Sequence, residues 1–300
     1  TNLQARFAAT DLASPKFRGR DLSVVVWSTT LGAVLGPNLF GPGEVVGSAL
    51  GIPPMTGAFV FSLLATLAAA AVYSVGLRPD PLLTALAGRA TLVAAPRARG
   101  GLAIVRSTPL ARYAVVSIAL SHATMVALMS MAPVHLRDHG ASLSIVGLTI
   151  SLHVAGMYAL SPVFGALSDH IGRVPVILGG QAMLLASLTV NALGDGSQTP
   201  MTVSLILLGL GWSASVVAGS ALVAEAVQVH DRAALQGFSD LSMNGAGALG
   251  GAVAGPILTL AGYSGLGVAA MVLVAVVVGW SVRRLPADQR AFRTDNPRQG

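Results

Sequence analysis

"GALSDHIGRV", residues 165–174, interrupts a stretch of chain that is otherwise empty of formal charge. No Asp, Glu, Lys or Arg occurs from His139 to Ser168, and none from Val174 to Gly194. Each flanking run is long enough for a membrane-spanning helix, which needs about 20 apolar residues at a rise of about 1.5 Å each. The ten residues therefore read as a short polar loop between two spans. Gly165 and Gly172 frame it, and glycines let a backbone turn sharply and let helix ends approach closely.

The remainder of the chain has the same character. Of 300 residues, 53% are hydrophobic and 10% charged, and the mean hydropathy is +0.72. A soluble domain carries about 25% charged residues, so the side chains that a water-facing surface requires are missing. The composition indicates an all-α integral membrane protein. Cysteine is absent, which removes disulfide frameworks, thiolate metal sites and thiol nucleophiles together. Thr1 opens the chain, and "TNLQARFAATDLASP" lacks the charged-then-apolar layout of a signal peptide. The chain reads as beginning part-way through a longer protein.

Charge-free windows run through 22–43, 45–77, 113–136, 139–168, 174–194, 196–224 and 241–282. The last is long enough for two spans and is expected to fold back at Gly262-Tyr263-Ser264-Gly265. "GIPP" at 51–54 trims the second window, because prolines end a helix or delay its start. Eight transmembrane helices follow, at about 22–40, 55–76, 113–134, 143–164, 174–193, 201–223, 233–260 and 266–282, with residues 1–12 as the tail of a ninth.

The loops between these helices alternate sides. One side collects 1–21, 78–112, 165–173, 225–232 and 283–300, which hold 17 of the 18 basic residues; Arg137 alone lies on the other. The positive-inside rule makes the basic side cytoplasmic. The sorting also accounts for a pI near 10.7, since these residues face anionic headgroups. Nucleic-acid binding is disfavoured: the basic residues lie in separate short loops without interleaved aromatics. Residues 78–112 hold six arginines against one aspartate and read as a basic linker, with an amphipathic surface helix around 81–95. The polar tail 285–300 reads as disordered.

Two segments align at an offset of 214 residues: "DLASPKFRGR" (11–20) and "EAVQVHDRAA" (225–234), pairing Asp11 with Glu225 and Arg18 with Arg232. Further on, Gly36-Pro37 faces Gly250-Gly251, and Gly41-Pro42 faces Gly255-Pro256. Related halves joined by a linker are a common transporter plan.

With these residues in view, the chain resembles the major facilitator superfamily, in particular its drug:proton antiporter branch. The loop signature of that family is G-x-x-x-D-[R/K]-x-G-R-[R/K], between the second and third helices of each six-helix half. Gly165, Asp169, Gly172 and Arg173 match it here, while His170 and Val174 depart from its basic positions. Gly32-x-x-x-Gly36-Pro37-x-x-x-Gly41 resembles part of the family's antiporter motif, with Ser23 and Phe40 where glycines are expected. The resemblance implies a helical bundle covering helices five to twelve. Residues 1–77 would end the first half, 78–112 link the halves, 113–284 form the second half and 285–300 the cytoplasmic tail.

The same resemblance gives the opening loop a role. Asp169 would sit against the positive N-terminal end of the helix starting near Arg20–Leu22, a contact worth about 0.3–2 kcal/mol. Arg173 would pair with Glu225 at the cytoplasmic end of the 201–223 helix. Together they would latch the cytoplasmic side and favour the outward-facing state; the alternative is an ordinary turn with a solvated Asp. The glycines at 32–41 would allow close helix packing and a bend.

Ionisable groups within spans are functional candidates. His122 lies ten residues past Arg112, about 15 Å along the helix; Asp240 lies eight past Arg232, about 12 Å along. Asn244 is one turn beyond Asp240, and His153, Trp27, Thr30, Met125, Met129, Gln181 and Trp212 also fall in spans. By the resemblance, His122, Met125, Trp212, Asp240 and Asn244 are candidates to line a central cavity, each being equally suited to packing against a neighbouring helix. His122 is a candidate proton carrier, since an imidazole titrates near neutrality.

The expected function is secondary active transport of a small molecule by alternating access, with proton-coupled efflux ahead of uptake. The expected setting is multi-pass insertion in the plasma or inner membrane as a monomer, with linker and C-terminus cytoplasmic. No cofactor is expected beyond the coupling ion H+, and no nucleic-acid partner. No G-x-x-x-x-G-K-[S/T] loop occurs, which argues against an ATP-driven pump. "GWSAS" at 211–215 superficially resembles an intramembrane serine nucleophile, but the glycine after Ser213 is missing and only His122 or His153 could be its base. An H-E-x-x-H metal motif is absent. An inactive remnant is the remaining alternative.

Overall fold

A computed structural model describes residues 13–14, 17–53, 56–80, 83–84, 100–194 and 197–295. All regular structure among them is helical: α1 (Arg18–Asn38), α2 (Phe40–Ala49), α3 (Ala58–Gly76), α4 (Gly101–Ser107), α5 (Pro109–Asp138), α6 (Leu143–Tyr158), α7 (Ser161–Ile171), α8 (Arg173–Leu193), α9 (Gln198–Glu225) and α10 (Val229–Asp295). The proposed tail of a further helix at 1–12, Asp11 of the repeat and most of the surface helix at 81–95 lie outside the described residues.

The boundaries follow from local chemistry. Thr108 is extended, at φ −113° and ψ 104°, immediately before Pro109 at the first position of α5; the proline ring disfavours helix in the residue before it and lacks only an N–H that a helix start leaves unpaired. Ser142 caps α6, its Oγ accepting from the Ile145 amide at 3.3 Å. Gly172 alone separates α7 from α8, at φ +97°, a conformation open to glycine and costly for side chains with a Cβ. Gly262 breaks α10 in the same way, at φ 70° and ψ 179°.

Among the described residues, six stretches are long and apolar enough to cross a membrane: Ala58–Gly76, Pro109–Asp138, Ile145–Ile171, Arg173–Leu193, Gln198–Glu225 and Val229–Arg284. The last has 56 residues; as one straight helix it would run ~84 Å, against a hydrocarbon core of ~30 Å. The break at Gly262 divides it into two arms, where the sequence places the reversal.

The helix read at 22–40 differs in three respects. It begins earlier, at Arg18, and the chain remains helical over 40–49, beyond the interruption at Leu39, where a loop was expected. Nor is α1 among the six apolar stretches, because Ser23, Ser28, Thr29 and Thr30 dilute it. The expected 143–164 helix is likewise interrupted at 159–160, ahead of Pro162 in the first turn of α7. Residues 101–107 and 109–112, read as linker, are helical, and α10 continues to Asp295 through most of the tail read as disordered.

Helix α9 is the axis of the bundle, buried without interruption from Gly211 to Ala224. Small residues let its neighbours approach. A methyl group on Gly211 would lie 2.7 Å from the Gly180 carbonyl of α8, and one on Gly156 of α6 would lie 3.0 Å from the Ile206 carbonyl. Helices α5 and α10 pack against each other at Gly250, whose added methyl would lie 2.7 Å from the Ala123 carbonyl. Helix α3 has no buried residue.

Candidate functional site: an ionic latch and an intramembrane aromatic cluster

Residues 165–173 form the end of α7, the Gly172 turn and the start of α8, and the start of α1 lies against them. Gly19 and Gly165 make this contact possible: a methyl group on Gly19 would sit 2.6 Å from the Gly165 carbonyl and 2.5 Å from Ser168 Oγ. With the two backbones this close, the Asp169 carboxylate reaches the first amides of α1. Its Oδ1 accepts from Gly19 N–H at 3.0 Å and its Oδ2 from Arg20 N–H at 2.8 Å. These amides belong to the first turn of a helix, where no intrahelical carbonyl is available and the macrodipole favours a negative charge.

Arg173 is the hub. Its Nη1 forms an ion pair with Asp169 Oδ1 and donates to Ser168 Oγ at 3.0 Å. Its Nε and Nη2 both donate to Glu225 Oε1, at 3.2 and 2.8 Å. The Arg173 and Asp169 side chains are 9% and 5% exposed and Glu225 25%, so solvent screens the Arg173–Asp169 pair little and the Glu225 end more. Ser161 Oγ adds a hydrogen bond to the Ser23 carbonyl at 3.1 Å. One guanidinium thus joins the end of α7 to the end of α9, and through Asp169 to the start of α1. His170, at a basic position of the loop signature, is exposed, with Nδ1 2.8 Å from the Ala166 carbonyl of its own helix.

The other predicted residues separate into distinct environments. Trp212 of α9 donates Nε1–H to His122 Nδ1 of α5 at 3.0 Å, and this places the proton of a neutral His122 on Nε2. Tyr158 of α6 meets Trp212 edge-on, 5.8 Å between ring centroids. The His122 ring lies against Gly247 of α10, where an added methyl would be 2.7 Å from Cδ2. Asp240, Asn244 and Gly247 follow at the i, i+4, i+7 spacing of one helix face; Asp240 is half-buried and Asn244 exposed, donating to the Asp240 carbonyl at 2.8 Å. Met125 is buried, at 6% exposure.

His153 stands apart from this cluster. It is fully buried, with Nδ1 2.7 Å from the Leu205 carbonyl between α6 and α9. Gln181 ties α8 to α5 and α9 through Ser121 Oγ at 2.8 Å and Ser215 Oγ at 2.9 Å. Trp27 is 41% exposed on α1, and Met129 packs partly buried against the core. Ser213 is buried with no hydrogen-bond partner on Oγ among the described residues, while Nδ1 of each candidate base is engaged elsewhere.

The antiporter-like residues are distributed across the break at Leu39. Gly32, Gly36 and Pro37 lie in α1 and Gly41 in α2. A methyl group on Gly32 would meet nothing within 4 Å among the described residues. In the second arm of the repeat, Gly250, the counterpart of Gly36, packs tightly, whereas Gly255, the counterpart of Gly41, meets nothing within 4 Å among the described residues. Two features were missed in the sequence: the Arg173–Asp169 pair and the Gly19–Gly165 approach. "RGR" at 18–20, directly before a span, was the available signal for the latter.

Comparison with known proteins decides the family. The model described as "Major Facilitator Superfamily" matches residues 114–299. The chain belongs to the major facilitator superfamily. It is 37% identical over 292 residues to the uncharacterized MFS-type transporter YdeG of Bacillus subtilis (strain 168), covering 94% of this chain and 67% of that protein. It is 36% identical over 293 residues to YddS of the same organism, also described as an uncharacterized MFS-type transporter, at 95% and 67% coverage. It is 27% identical over 281 residues to the riboflavin transporter RfnT of Brucella anthropi, at 93% and 68% coverage. As a superfamily member it is a multi-pass membrane protein that transports a small molecule.

Proposed function

We propose that this transporter exports its cargo from the cytoplasm by alternating access, driven by exchange with protons, and that the Asp169–Arg173–Glu225 latch holds its cytoplasmic side shut. In this reading it acts as a monomer in the plasma or inner membrane. Linker 78–112 and the C-terminus face the cytoplasm, and 1–77 and 113–284 belong to opposite halves. The observation that supports it is Arg173 itself: one guanidinium carries both carboxylates, and Asp169 also holds the amides of α1. Parting α1 from α7 breaks two charge-assisted hydrogen bonds at once, enough to shift a two-state equilibrium substantially.

His122 supplies a route for proton coupling. The Trp212 N–H requires a bare Nδ1, so a second proton on His122 and the Trp212 hydrogen bond exclude each other. Loading a proton would then release the Trp212 ring against Tyr158 and the Asp240–Asn244 face of α10, where the cargo is expected. The test is cargo accumulation in inverted membrane vesicles under an imposed pH gradient. The reading requires uptake into vesicles that collapses with the gradient, and His122→Ala should remove the dependence on pH. Accumulation by His122→Ala with the pH dependence of the parent would exclude this role.

A second reading, uptake of a planar heterocycle, draws on the Tyr158–Trp212–His122 aromatic cluster and on the similarity to a protein named as a riboflavin transporter. Flavin entry into right-side-out vesicles, abolished by Trp212→Ala, would favour it over export.

A further inference from the structure

The starts and ends of two helices carry an arginine–aromatic cluster that the transport reading does not use. Tyr113 of α5 and Trp280 in the second arm of α10 pack edge-on, with centroids 5.7 Å apart and planes at 69°. Ser281 fixes the phenol: its Oγ donates to the Val277 carbonyl at 2.8 Å and lies 2.8 Å from Tyr113 Oη. With that hydroxyl proton committed, Tyr113 is the donor of the second bond. Two guanidiniums lie over this ring pair, Arg112 at 6.0 Å from the Trp280 centroid and Arg284 at 5.6 Å from that of Tyr113. A cation over an aromatic face is held by the ring quadrupole.

No Asp or Glu occurs from Gly101 to Arg137 or from Leu241 to Ala287. Among the described residues neither Arg112 nor Arg284 takes part in an ion pair, whereas Arg173 has two carboxylates. Arg106, in α4, and Arg283, beside Arg284, are exposed and add charge of the same sign.

The depth identifies the anion's source. Arg284 lies two residues past the charge-free window 241–282, and Arg112 falls in the first turn of Pro109–Asp138. Both therefore sit at the edge of the hydrocarbon, where lipid phosphates lie and where Trp and Tyr rings anchor spans. Val276 and Val282, 49% and 53% exposed on the same arm, offer an apolar surface to acyl chains just inside that level. A guanidinium stacked on a ring keeps its planar N–H edge for a two-pronged bond to phosphate oxygens.

We infer that Arg112 and Arg284, seated on Trp280 and Tyr113, bind the phosphodiester of an anionic phospholipid at the α5–α10 seam. The site is independent of cargo, transport direction and proton coupling.

Native mass spectrometry of the full chain, released from neutral detergent and titrated with dioleoylphosphatidylglycerol or dioleoylphosphatidylcholine, tests it. The anionic lipid should bind more tightly than the zwitterionic one, and Arg112→Gln/Arg284→Gln should weaken it by about fivefold per arginine. Arg112→Lys/Arg284→Lys, which preserves charge and folding, should lose part of the affinity, and Arg137→Gln, elsewhere on α5, should lose none. Equal binding of the two lipids, or full affinity in both double variants, would overturn the site. Displacement of the lipid by millimolar inorganic phosphate would overturn the lipid assignment in favour of a soluble phosphate.

Discussion

Helices α3 and α9 are both apolar enough to cross a membrane, yet they occupy opposite environments. Not one residue of α3 is buried, whereas α9 is covered continuously from Gly211 to Ala224. Glycines and serines bring the neighbours of α9 close. Gly209, Gly211 and Gly219, with Ser204, Ser213, Ser215 and Ser220, give α9 surfaces onto which α5, α6 and α8 close. Helix α3 has glycine only at its last position and presents Phe59, Leu63, Leu64, Leu67 and Val72 outward. In a bilayer, lipid tails solvate such side chains as well as protein does, so apolarity alone drives no association between helices. Hydropathy identifies a span but does not say which spans meet.

That difference can be broken by substitution. Gly211→Leu should abolish the packed bundle, costing more than about 3 kcal/mol, because the new side chain meets the Gly180 carbonyl and Leu184 amide, which cannot give way. Ala68→Leu, on the exposed side of α3, should stay within about 0.5 kcal/mol. Melting of the two variants in detergent measures the contrast, and equal losses would remove the distinction between the helices.

At the end of α9, Arg173→Ala leaves Glu225 and Asp169 without their shared cation. The expected loss is about 3 kcal/mol, and Glu225→Gln should lose less because Glu225 is the more exposed partner. Midway along α9, Trp212→Phe keeps the ring and deletes the hydrogen bond to His122, with an expected loss of about 1–2 kcal/mol. Its more specific consequence is altered pH dependence of transport, read in the same vesicles; a Trp212→Phe profile identical to the parent would separate this bond from proton handling.

Much of this organisation was legible in the sequence. Windows empty of charge locate the helices because a buried charge in lipid is costly, and the glycines at 172 and 262 locate two of the sharpest turns. The Glu225 partner of Arg173 followed from the resemblance, which sets the loop beside the cytoplasmic end of the 201–223 helix. The i,i+4 pair from Arg173 back to Asp169 did not. It depends on the single left-handed residue Gly172, which ends one helix and starts the next. Pro162 was visible, but nothing in a charge-free window shows whether a proline bends a helix or divides it. Which polar residues at depth share a cluster was not legible either. His122 and His153 look alike in sequence, yet one meets Trp212 and the other a backbone carbonyl, because facing depends on helix rotation.

The central claim is that Arg173 ties α1 to α7 and α9. The chain has no cysteine, so a spin-label pair can be placed at Arg20→Cys and His170→Cys, both exposed and flanking the Asp169 contact. Dipolar electron paramagnetic resonance should give one short, narrow distance in the otherwise unaltered chain. With Arg173→Ala added, a longer and broader population should replace much of it. The same narrow distance in both proteins would show that α1 and α7 are held together without the latch.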